Sequence, residues 1–404
     1  MTTTINNEHK KLNVPNLRFP EFQGEWEEST IGEMFDLYSG NTPSRLNKEH
    51  FKGTVNWISS GELKEHYIYS SKEQISEEAA KSLKLLPVGT FVIAIYGLEA
   101  EGVRGTGSIT QEPSTISQAC MSFIQKGEIG NEFLYSWYKK HGNVIGIRYA
   151  QGTKQQNLSY DILEKFRIVY PKTKEQEKLN KLISLLDERI STQNKIIEDL
   201  KKLKSAIIDY AINSIDADFI KFSSLYEIAG EGGTPTTSNA SFYDNGKIPF
   251  IKIDDLKKKY LTENKDFITE LGLQKSSAWL VPSRSILFSN GATIGEITIT
   301  TYPVCTKQGI LGIVPKSNID VEFLYYFMSS SYFKKEVSRI VTEGTMKTAY
   351  LKDINNIRCP IPTKGKQQEI AQMPSALSSK IDFEQSILKL FYAQKQYLLR
   401  QMFI

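Results

Sequence analysis

The residues whose chemistry stands out in this sequence lie in polar loops that contain glycine. Their hydroxyl and amide groups can donate to phosphates or pair with base edges, and arginine–guanine and asparagine– or glutamine–adenine are the bidentate pairs that geometry favours. The candidates are Asn41, Thr42, Ser44, Arg45, Arg104, Lys154, Gln155 and Gln156 in the first half, and Thr234, Thr236, Thr237, Asn239, Asn290, Thr293 and Lys347 in the second. For any single loop, an ordinary solvated loop is the simpler interpretation. The prediction therefore applies to loops rather than to single residues.

No convincing catalytic motif accompanies these loops. The segment from Gly102 to Ser108 has the outer glycines of a phosphate-binding loop but lacks its lysine, which favours an ordinary loop. The sequence has no Asn/Asp-Pro-Pro-aromatic motif of an amino-methyltransferase, and Asp199-Leu200-Lys201 matches part of a nuclease motif at a level expected by chance. A nucleophile elbow and an H-E-x-x-H helix are also missing. These absences count modestly against an enzyme.

The composition is ordinary for a soluble globular protein of 404 residues, with 40% hydrophobic and 24% charged residues. This length predicts about two or three domains, and the net charge of +4 permits nucleic-acid binding without requiring it. No apolar run reaches the roughly 20 residues of a membrane span, and the N-terminus lacks the order of a signal peptide, so we expect a cytoplasmic protein. Cys120, Cys305 and Cys359 lie far apart, which favours buried thiols and predicts no metal site.

The chain contains an internal repeat with a period of about 190 residues. The loop Ser39-Gly40-Asn41-Thr42-Pro43 returns as Gly232-Gly233-Thr234-Pro235, and Glu132-Phe133-Leu134-Tyr135 returns as Glu322-Phe323-Leu324-Tyr325. Each match is weak alone, but the same order in both halves indicates a duplicated domain. Two similar platforms that carry different loop residues suit two different recognition surfaces.

Each copy is followed by a long segment in which apolar residues alternate in steps of four and three. This heptad seam consists of Leu179, Ile183, Leu186, Ile190, Ile197, Leu200 and Ile207 in the central segment, and of Ile370, Leu377, Ile381, Leu388, Phe391 and Leu398 in the terminal one. Gln193 and Glu384 fill the same polar gap. Because such a seam needs a partner helix, we expect an antiparallel intramolecular coiled coil of two long helices. Pro374 removes a backbone hydrogen bond, so we expect the regular coil to begin near Ser375.

These patterns predict an α+β fold with two pseudo-symmetric domains, each rich in β-structure with flanking helices, separated by the coiled coil. The predicted boundaries are 1–171 for the first domain with its leader, 172–213 for the central helix, 214–363 for the second domain and 364–404 for the C-terminal helix. Within the domains, Val88–Ile95 and Ser285–Phe288 are typical of buried strands, and Glu132–His141 and Val321–Phe333 of amphipathic helices. An antiparallel terminal helix returns towards the leader, Asn13 to Glu27, which could close the molecule into a pseudo-symmetric ring.

With these features assembled, the sequence resembles a type I restriction-modification specificity (S) subunit. The leader from Asn13 to Phe22, followed by Gly24-Glu25-Trp26-Glu27, is similar to the usual opening of that family. The Ser-Gly-x-Thr-Pro loop, the Gln151-Gly152-Thr153 loop before Leu158, and the Pro-x-x-x-x-Glu-Gln sequence from Pro171 to Gln176 also resemble it. The resemblance covers nearly the whole chain.

The resemblance implies a non-catalytic subunit that reads a bipartite, asymmetric DNA site, with one half recognised by each domain and the paired helices as spacer. About 36 coiled residues would give a spacer of roughly 54 Å. It implies two methyltransferase subunits docked on the coil and two restriction/translocase subunits in the full complex. S-adenosylmethionine, ATP and Mg²⁺ would belong to those partners, with no cofactor on this chain.

Two other function classes remain open. In one, the coil assembles partners and the globular copies bind protein, or bind DNA without reading its sequence. In the other, an enzyme has its site between the duplicated halves. A two-part DNA motif with a fixed gap would favour specific recognition, and binding without sequence preference would favour the scaffold.

Overall fold

A computed structural model describes residues 12–100, 102–152, 156–291, 293–341 and 347–404. The chain divides into two compact units, one containing residues up to Asn194 together with Ile387–Ile404, and the other Lys195–Ser386. Each unit is described by itself. The candidates Lys154 and Gln155, and the Gly344-Thr345 pair of the repeat, lie outside the described residues.

The first unit begins with the leader and ends its globular part where the central helix starts. Its elements are β1 (Glu27–Thr30), α1 (Ile31–Met34), β2 (Phe35–Ser39), β3 (Val55–Ile58), β4 (Tyr67–Ile68), β5 (Gln74–Ile75), α2 (Glu77–Lys81), β6 (Phe91–Ala94), β7 (Gly107–Thr110), β8 (Ser114–Ile116), β9 (Cys120–Gln125), α3 (Asn131–Tyr149), α4 (Tyr160–Leu163), β10 (Arg167–Tyr170) and α5 (Thr173–Asn213).

A five-stranded sheet with the order β2-β9-β6-β7-β4 forms the centre of the first unit. Strand β6 is apolar at every position because both faces of the sheet are covered. Phe91 and Ile93 pack into the core under α3, whereas Val92 and Ala94 pack on the opposite face with Ile58. A three-stranded sheet, β5-β3-β8, and the pair β1-β10 complete the domain.

The second unit repeats this architecture. Its elements are β11 (Phe219–Lys221), β12 (Tyr226–Glu231), β13 (Ile248–Ile251), β14 (Tyr260–Leu261), β15 (Asp266–Ile268), α6 (Glu270–Gln274), β16 (Ile286–Ser289), β17 (Ile297–Thr300), β18 (Cys305–Thr306), β19 (Ile310–Pro315), α7 (Val321–Ser329), α8 (Ser331–Ile340), α9 (Leu351–Ile354), β20 (Arg358–Pro360) and α10 (Lys364–Met402).

The strand orders of the two units agree strand for strand. The second unit has a five-stranded sheet with the order β12-β19-β16-β17-β14, a three-stranded sheet β15-β13-β18, and the pair β11-β20. In both large sheets, the two-residue edge strand (β4 or β14) is parallel to its neighbour and the other neighbours are antiparallel. The expectation of two repeated α+β domains with long helices is confirmed.

Two helices differ from their predicted bounds. The helix expected over Glu132–His141 continues to Tyr149, because Gly142 and Gly146, which weaken an isolated helix, allow the loop around Arg104 and Gly105 to pack closely against it. The helix expected over Val321–Phe333 is two helices, since Ser330 has an extended backbone (φ −66°, ψ 156°) and caps α8 by accepting a hydrogen bond from the amide of Phe333.

The terminal helix α10 begins at Lys364 and continues through Pro374 without interruption. Proline removes its own backbone hydrogen bond and crowds the carbonyl four residues earlier, and packing on either side can hold the remaining turns in place. Ala371 and Pro374 are buried, and the Tyr326 hydroxyl lies 3.2 Å from the Ser375 hydroxyl and 3.3 Å from that of Ser378.

Parts of α5 and α10 lie side by side and antiparallel within each unit. In the first unit, the Lys395 ammonium contacts Asp187, and the Arg189 guanidinium lies 5.4 Å from the Phe391 ring. In the second unit, Lys204 Nζ lies 3.5 Å from Ser378 Oγ, and Ile208 shares a core with Ala371.

The predicted seam residues of both helices are buried or half-buried. The buried seam residues are Leu179, Ile183, Leu186, Ile190, Ile197 and Ile381, and the half-buried ones are Leu200, Ile207, Ile370, Leu377, Leu388, Phe391 and Leu398. The polar positions Gln193 and Glu384 are also buried, each 7% exposed. Further buried residues outside the seam, including Ile212 and Leu399, widen the apolar face because each helix also packs against its domain.

The leader lies against the end of the terminal helix in the first unit. The amide of Leu17 donates to the carbonyl oxygen of Gln401 (2.9 Å), and Arg18 forms two hydrogen bonds with Glu175 in the first turn of α5 (2.8 and 2.7 Å). The leader therefore joins the start of one long helix to the end of the other.

Candidate nucleic-acid interface

The first candidate loop, residues 40–47, is held in a fixed conformation. Gly40 is required because a Cβ there would lie 2.2 Å from the carbonyl oxygen of Ile116. The indole of Trp57 donates to the carbonyl oxygen of Asn41 (3.0 Å), and the Asn41 side chain accepts from the amide of Thr42 (2.8 Å). These contacts fix the path of the chain up to the buried Pro43.

Beyond Pro43 the loop presents its side chains to solvent. Arg45 pairs in a fork with Glu73 (3.0 and 2.7 Å), and its guanidinium lies 4.6 Å from the Phe51 ring and 5.4 Å from the Trp57 ring. The hydrogen bond from Arg45 holds the pKa of the Glu73 carboxyl below its ordinary value. Leu46 is 98% exposed, and Asn47 caps the following short helix. Ser44 is exposed and Thr42 is half-buried.

The corresponding loop of the second unit, residues 232–239, has the same construction. A Cβ on Gly232 would lie 2.2 Å from the carbonyl oxygen of Thr306, Pro235 is buried, and Asn239 caps a short helix through the amide of Ser241 (3.2 Å). The Thr234 hydroxyl accepts a hydrogen bond from the backbone amide of Gln308 (3.2 Å), and this bond helps to hold the loop in place. Thr236, Thr237 and Asn239 are exposed.

The loop that carries Arg104 is packed on α3 and joined to the loop that carries Gln156. The Arg104 guanidinium is half-buried and donates to the carbonyl oxygens of Leu98 and Glu99. The amide of Leu98 donates to the carbonyl oxygen of Gln156 (3.1 Å). Arg104 therefore uses some of its N–H groups to stabilise its own loop. The hydrogen bond between Leu98 and Gln156 joins this loop to the next, so the two loops form one surface.

In the second unit the equivalent surface has a different composition. Asn290 is only 1% exposed, and its amide group donates to the carbonyl oxygen of Ala349 (3.2 Å), which places it inside the domain rather than on the surface. Thr293 and Lys347 are exposed. Thus Asn290 positions the loop, and Thr293 and Lys347 remain the groups that a ligand could reach.

Sequence reasoning missed a buried charge cluster between the first domain and its helices. His66 is 7% exposed, with Nδ1 3.0 Å from an Asp187 oxygen and Nε2 2.8 Å from a Glu132 oxygen. Since both ring nitrogens face carboxylates, the doubly protonated imidazolium is the form that satisfies both contacts. The ring is stacked between those of Tyr67 (4.1 Å) and Tyr135 (3.9 Å).

The pKa of His66 reflects two opposing effects. Burial lowers it, but the hydrogen bonds to Asp187 and Glu132 outweigh burial and raise the pKa above its ordinary value. Burial likewise raises the pKa of Asp187, but the hydrogen bond from His66 and the charge of Lys395 outweigh it and lower the pKa. The sequence gave no signal for this site, because His66 is an isolated histidine and its partners Glu132 and Asp187 lie far away in the chain.

The second unit has a lysine at the equivalent place. Lys259, which precedes the edge strand β14 as His66 precedes β4, pairs with Glu322 and donates to the Ser375 hydroxyl (2.9 Å). Its ammonium lies 4.7 Å from the Tyr326 ring. Burial lowers the pKa of Lys259, but hydrogen bonds to Glu322 and Tyr326 outweigh burial and raise it. In both domains, a cation with little exposed side chain therefore contacts a long helix.

The described residues hold no group of three or more His, Cys, Asp or Glu side chains that could bind a metal ion. Burial raises the pKa of Cys120 to about 12 and that of Cys305 to about 11, so these thiols are poor nucleophiles. Over the part of the chain that the structure describes, no helix is long and apolar enough to cross a membrane.

A family model described as the type I restriction modification DNA specificity domain matches the chain twice, over residues 23–202 and 215–390. This chain belongs to that family. Members of the DNA specificity family recognise sequence rather than catalyse a reaction, which agrees with the polar loops. The resemblance inferred from the sequence is confirmed.

A related protein agrees with this assignment, and two solved structures have a similar fold. The type I restriction enzyme MjaIX specificity subunit of Methanocaldococcus jannaschii is 25% identical over 383 residues, covering 88% of each chain. The S subunit of a type I restriction-modification system from M. genitalium has a similar fold (TM-score 0.57, 18% identity, 97% of this chain and 99% of that chain). A chain from a structural study of type I system assembly and conformational transition gives a TM-score of 0.61 at 15% identity, covering 93% and 96%.

Proposed function

We propose that this DNA specificity protein reads a bipartite, asymmetric DNA site, with one half recognised by each domain. The observation that carries the proposal is the pair of loops 40–47 and 232–239. Their closely packed glycine, buried proline and capping asparagine agree, whereas exposed residues between the proline and the asparagine differ. Two loops with the same anchoring residues and different exposed side chains are expected of two domains that recognise different bases.

The proposed partners are two methyltransferase subunits and, for cleavage, two restriction/translocase subunits. Exposed apolar side chains on the two long helices support docking of other subunits there. On α5 these are Leu185 (51% exposed), Ile196 (40%), Leu203 (49%) and Tyr210 (77%), and on α10 they include Phe383 (59%), Leu390 (68%) and Tyr397 (59%). Ile196, Leu203 and Tyr210 recur every seven residues, as do Phe383, Leu390 and Tyr397, so each set lies along one helix face.

We propose that S-adenosylmethionine, ATP and Mg²⁺ act in those partner subunits, and that the complex works in the cytoplasm, where it meets DNA.

The test is methylation of random-sequence DNA by the full chain together with its methyltransferase subunit. We expect the methylated sites to share a two-part motif with a constant gap. DNA binding without any sequence preference would refute specific reading and support the alternative, a coiled-coil scaffold or stand-alone DNA-binding protein that assembles partners. Turnover by the isolated chain would instead indicate an enzyme.

A further inference from the structure

The loops 40–47 and 232–239 form a matched pair because the chain has built the same support twice. In each, a Cβ on the glycine would lie 2.2 Å from a backbone carbonyl oxygen. That oxygen belongs to Ile116, the last residue of β8, in the first unit and to Thr306, the last residue of β18, in the second. In each, the proline three residues later is buried and an asparagine four residues beyond it caps a short 3-10 helix. The backbone between proline and asparagine is therefore anchored at both ends in both units.

The residues between those anchors differ in chemistry. The first loop carries Arg45 and Leu46 where the second carries Thr237 and Ser238, and all four side chains are exposed. Leu46 is 98% exposed, so its apolar side chain contributes almost nothing to the stability of its own domain through burial. Between the anchoring proline and asparagine, the two loops therefore differ in exposed side chains.

Arg45 is held in place although it is exposed. Its fork with Glu73 uses two of its five N–H groups, and the guanidinium also lies over the rings of Phe51 and Trp57. An exposed ion pair contributes little to stability, so the main consequence of these contacts is a guanidinium with one orientation. A donor edge fixed before binding loses less conformational entropy when it meets a ligand.

We infer that the tips of these loops, Arg45-Leu46 in the first domain and Thr237-Ser238 in the second, determine which bases each domain prefers; the inference rests on the proposed function. The free edge of Arg45 suits the two acceptors of guanine in the major groove, and Leu46 suits an apolar base edge such as the thymine methyl group. The hydroxyls of Thr237 and Ser238 can donate or accept, so they suit a different set of bases.

The experiment exchanges the two tips in the full chain and reads the methylated motif. The double variant Arg45→Thr/Leu46→Ser is combined with the methyltransferase subunit and random-sequence DNA, and the motif is determined by sequencing the modified sites. We expect the requirement for one guanine in the first half-site to relax by about 5- to 150-fold, while the second half-site is unchanged. The reciprocal variant Thr237→Arg/Ser238→Leu should alter only the second half-site.

Three smaller variants keep the test decisive if a double variant folds poorly. Leu46→Ala removes only exposed atoms and should weaken one base preference. Glu73→Gln weakens the fork that orients Arg45 and should reduce the guanine preference without changing the motif. Lys48→Ala, an exposed lysine in the short helix that follows, is the control and should leave the base preference unchanged.

The outcomes are separable. Equal loss of affinity for every sequence after Arg45→Thr/Leu46→Ser would mean that the tip contacts only the DNA backbone, and an unchanged motif with unchanged affinity would mean that it contacts no DNA; either overturns the inference. A wild-type complex without a two-part motif would refute the proposed function itself. A changed first half-site with an intact second half-site supports both.

Discussion

Replacing His66 should destabilise the first unit, because this residue joins its domain to both long helices through Asp187. The imidazolium donates to Asp187 on α5 and to Glu132 on α3, while Lys395 on α10 contacts the same Asp187 carboxylate. His66→Gln removes the positive charge but leaves both carboxylates in place. Changing this one side chain therefore weakens contacts that involve three helices, α3, α5 and α10.

The expected magnitude follows from the exposure of the partners. A hydrogen bond to a charged group contributes about 1.5 to 3 kcal/mol, and breaking a buried pair costs about 3 to 5 kcal/mol. Asp187 keeps Lys395, and the Glu132 side chain is 36% exposed, so the low end applies. We expect His66→Gln to cost about 2 to 3 kcal/mol at pH 6, which lowers the melting temperature of a unit of this size by about 4 to 12 °C.

The effect should depend on pH in a defined direction. Because the folded pKa of His66 is raised, its contribution is fully present below its unfolded pKa of about 6.5 and is lost as the pH rises through the folded pKa. Lys139 acts in the opposite direction, since burial lowers its pKa to about 8 and unfolding then takes up a proton between about pH 8 and 10.5. Only a comparison between variants isolates His66.

His66→Lys is the matched comparison, because Lys259 fills the equivalent place in the second unit. Thermal unfolding followed by tryptophan fluorescence reports mainly on the first unit, which holds Trp26, Trp57 and Trp137, whereas the second holds Trp279. Between pH 6 and 9 the wild type should lose stability relative to His66→Lys. Equal pH profiles for the two proteins, or a His66→Gln melting temperature equal to that of the wild type at pH 6, would refute this account.

Four further predictions follow from other contacts. Gly40→Ala and Gly232→Ala should each destabilise their own unit by about 1 to 3 kcal/mol in thermal unfolding, whereas Gly61→Ala, with open space around its Cβ, should have little effect. Phe403→Ala removes a ring that is 2% exposed and lies 5.2 Å from that of Phe133, and should cost about 3 to 5 kcal/mol, against almost nothing for the exposed Tyr397→Ala. Exchanging residues 30–170 for a relative's should change one half-site of the methylated motif, and a change in both would contradict separate reading. Lys347→Ala should reduce the slope of DNA affinity against salt by about one and leave the motif intact; an unchanged slope would place this lysine away from the backbone.

The duplicated architecture could be predicted from the sequence because its signals recur at a constant spacing. Short motifs such as Glu132-Phe133-Leu134-Tyr135 identify the start of a helix in both halves, and the heptad pattern marks the long helices. The bounds were less predictable where tertiary contacts decide them. Gly142 and Gly146 weaken a helix locally, yet the neighbouring loop needs their small size, so α3 continues past the predicted end.

The candidate loops were predictable as loops but not as individual contacts. Arg104 and Asn290 have the side chains of DNA-contacting residues, yet the structure uses them to hold loops in place. Sequence cannot separate the two uses, because both need the same donors. The burial of Asn290 and the forked pairing of Arg45 depend on residues far away in the chain, Ala349 and Glu73.

The equivalent cations His66 and Lys259 show why the repeat is evident in the fold and weak in the sequence. Each cation meets an acidic residue at the start of the equivalent helix, Glu132 or Glu322, and a residue of a long helix, Asp187 or Ser375. The physical requirement at this place is one positive charge between tyrosine rings, and imidazolium and ammonium both satisfy it. The geometry is the same in both units although the residue type differs, so the equivalence is visible in the coordinates and not in the sequence. The two units should therefore respond differently to pH, because the histidine loses its charge as the pH rises through its raised pKa, whereas the already higher pKa of the lysine is raised further.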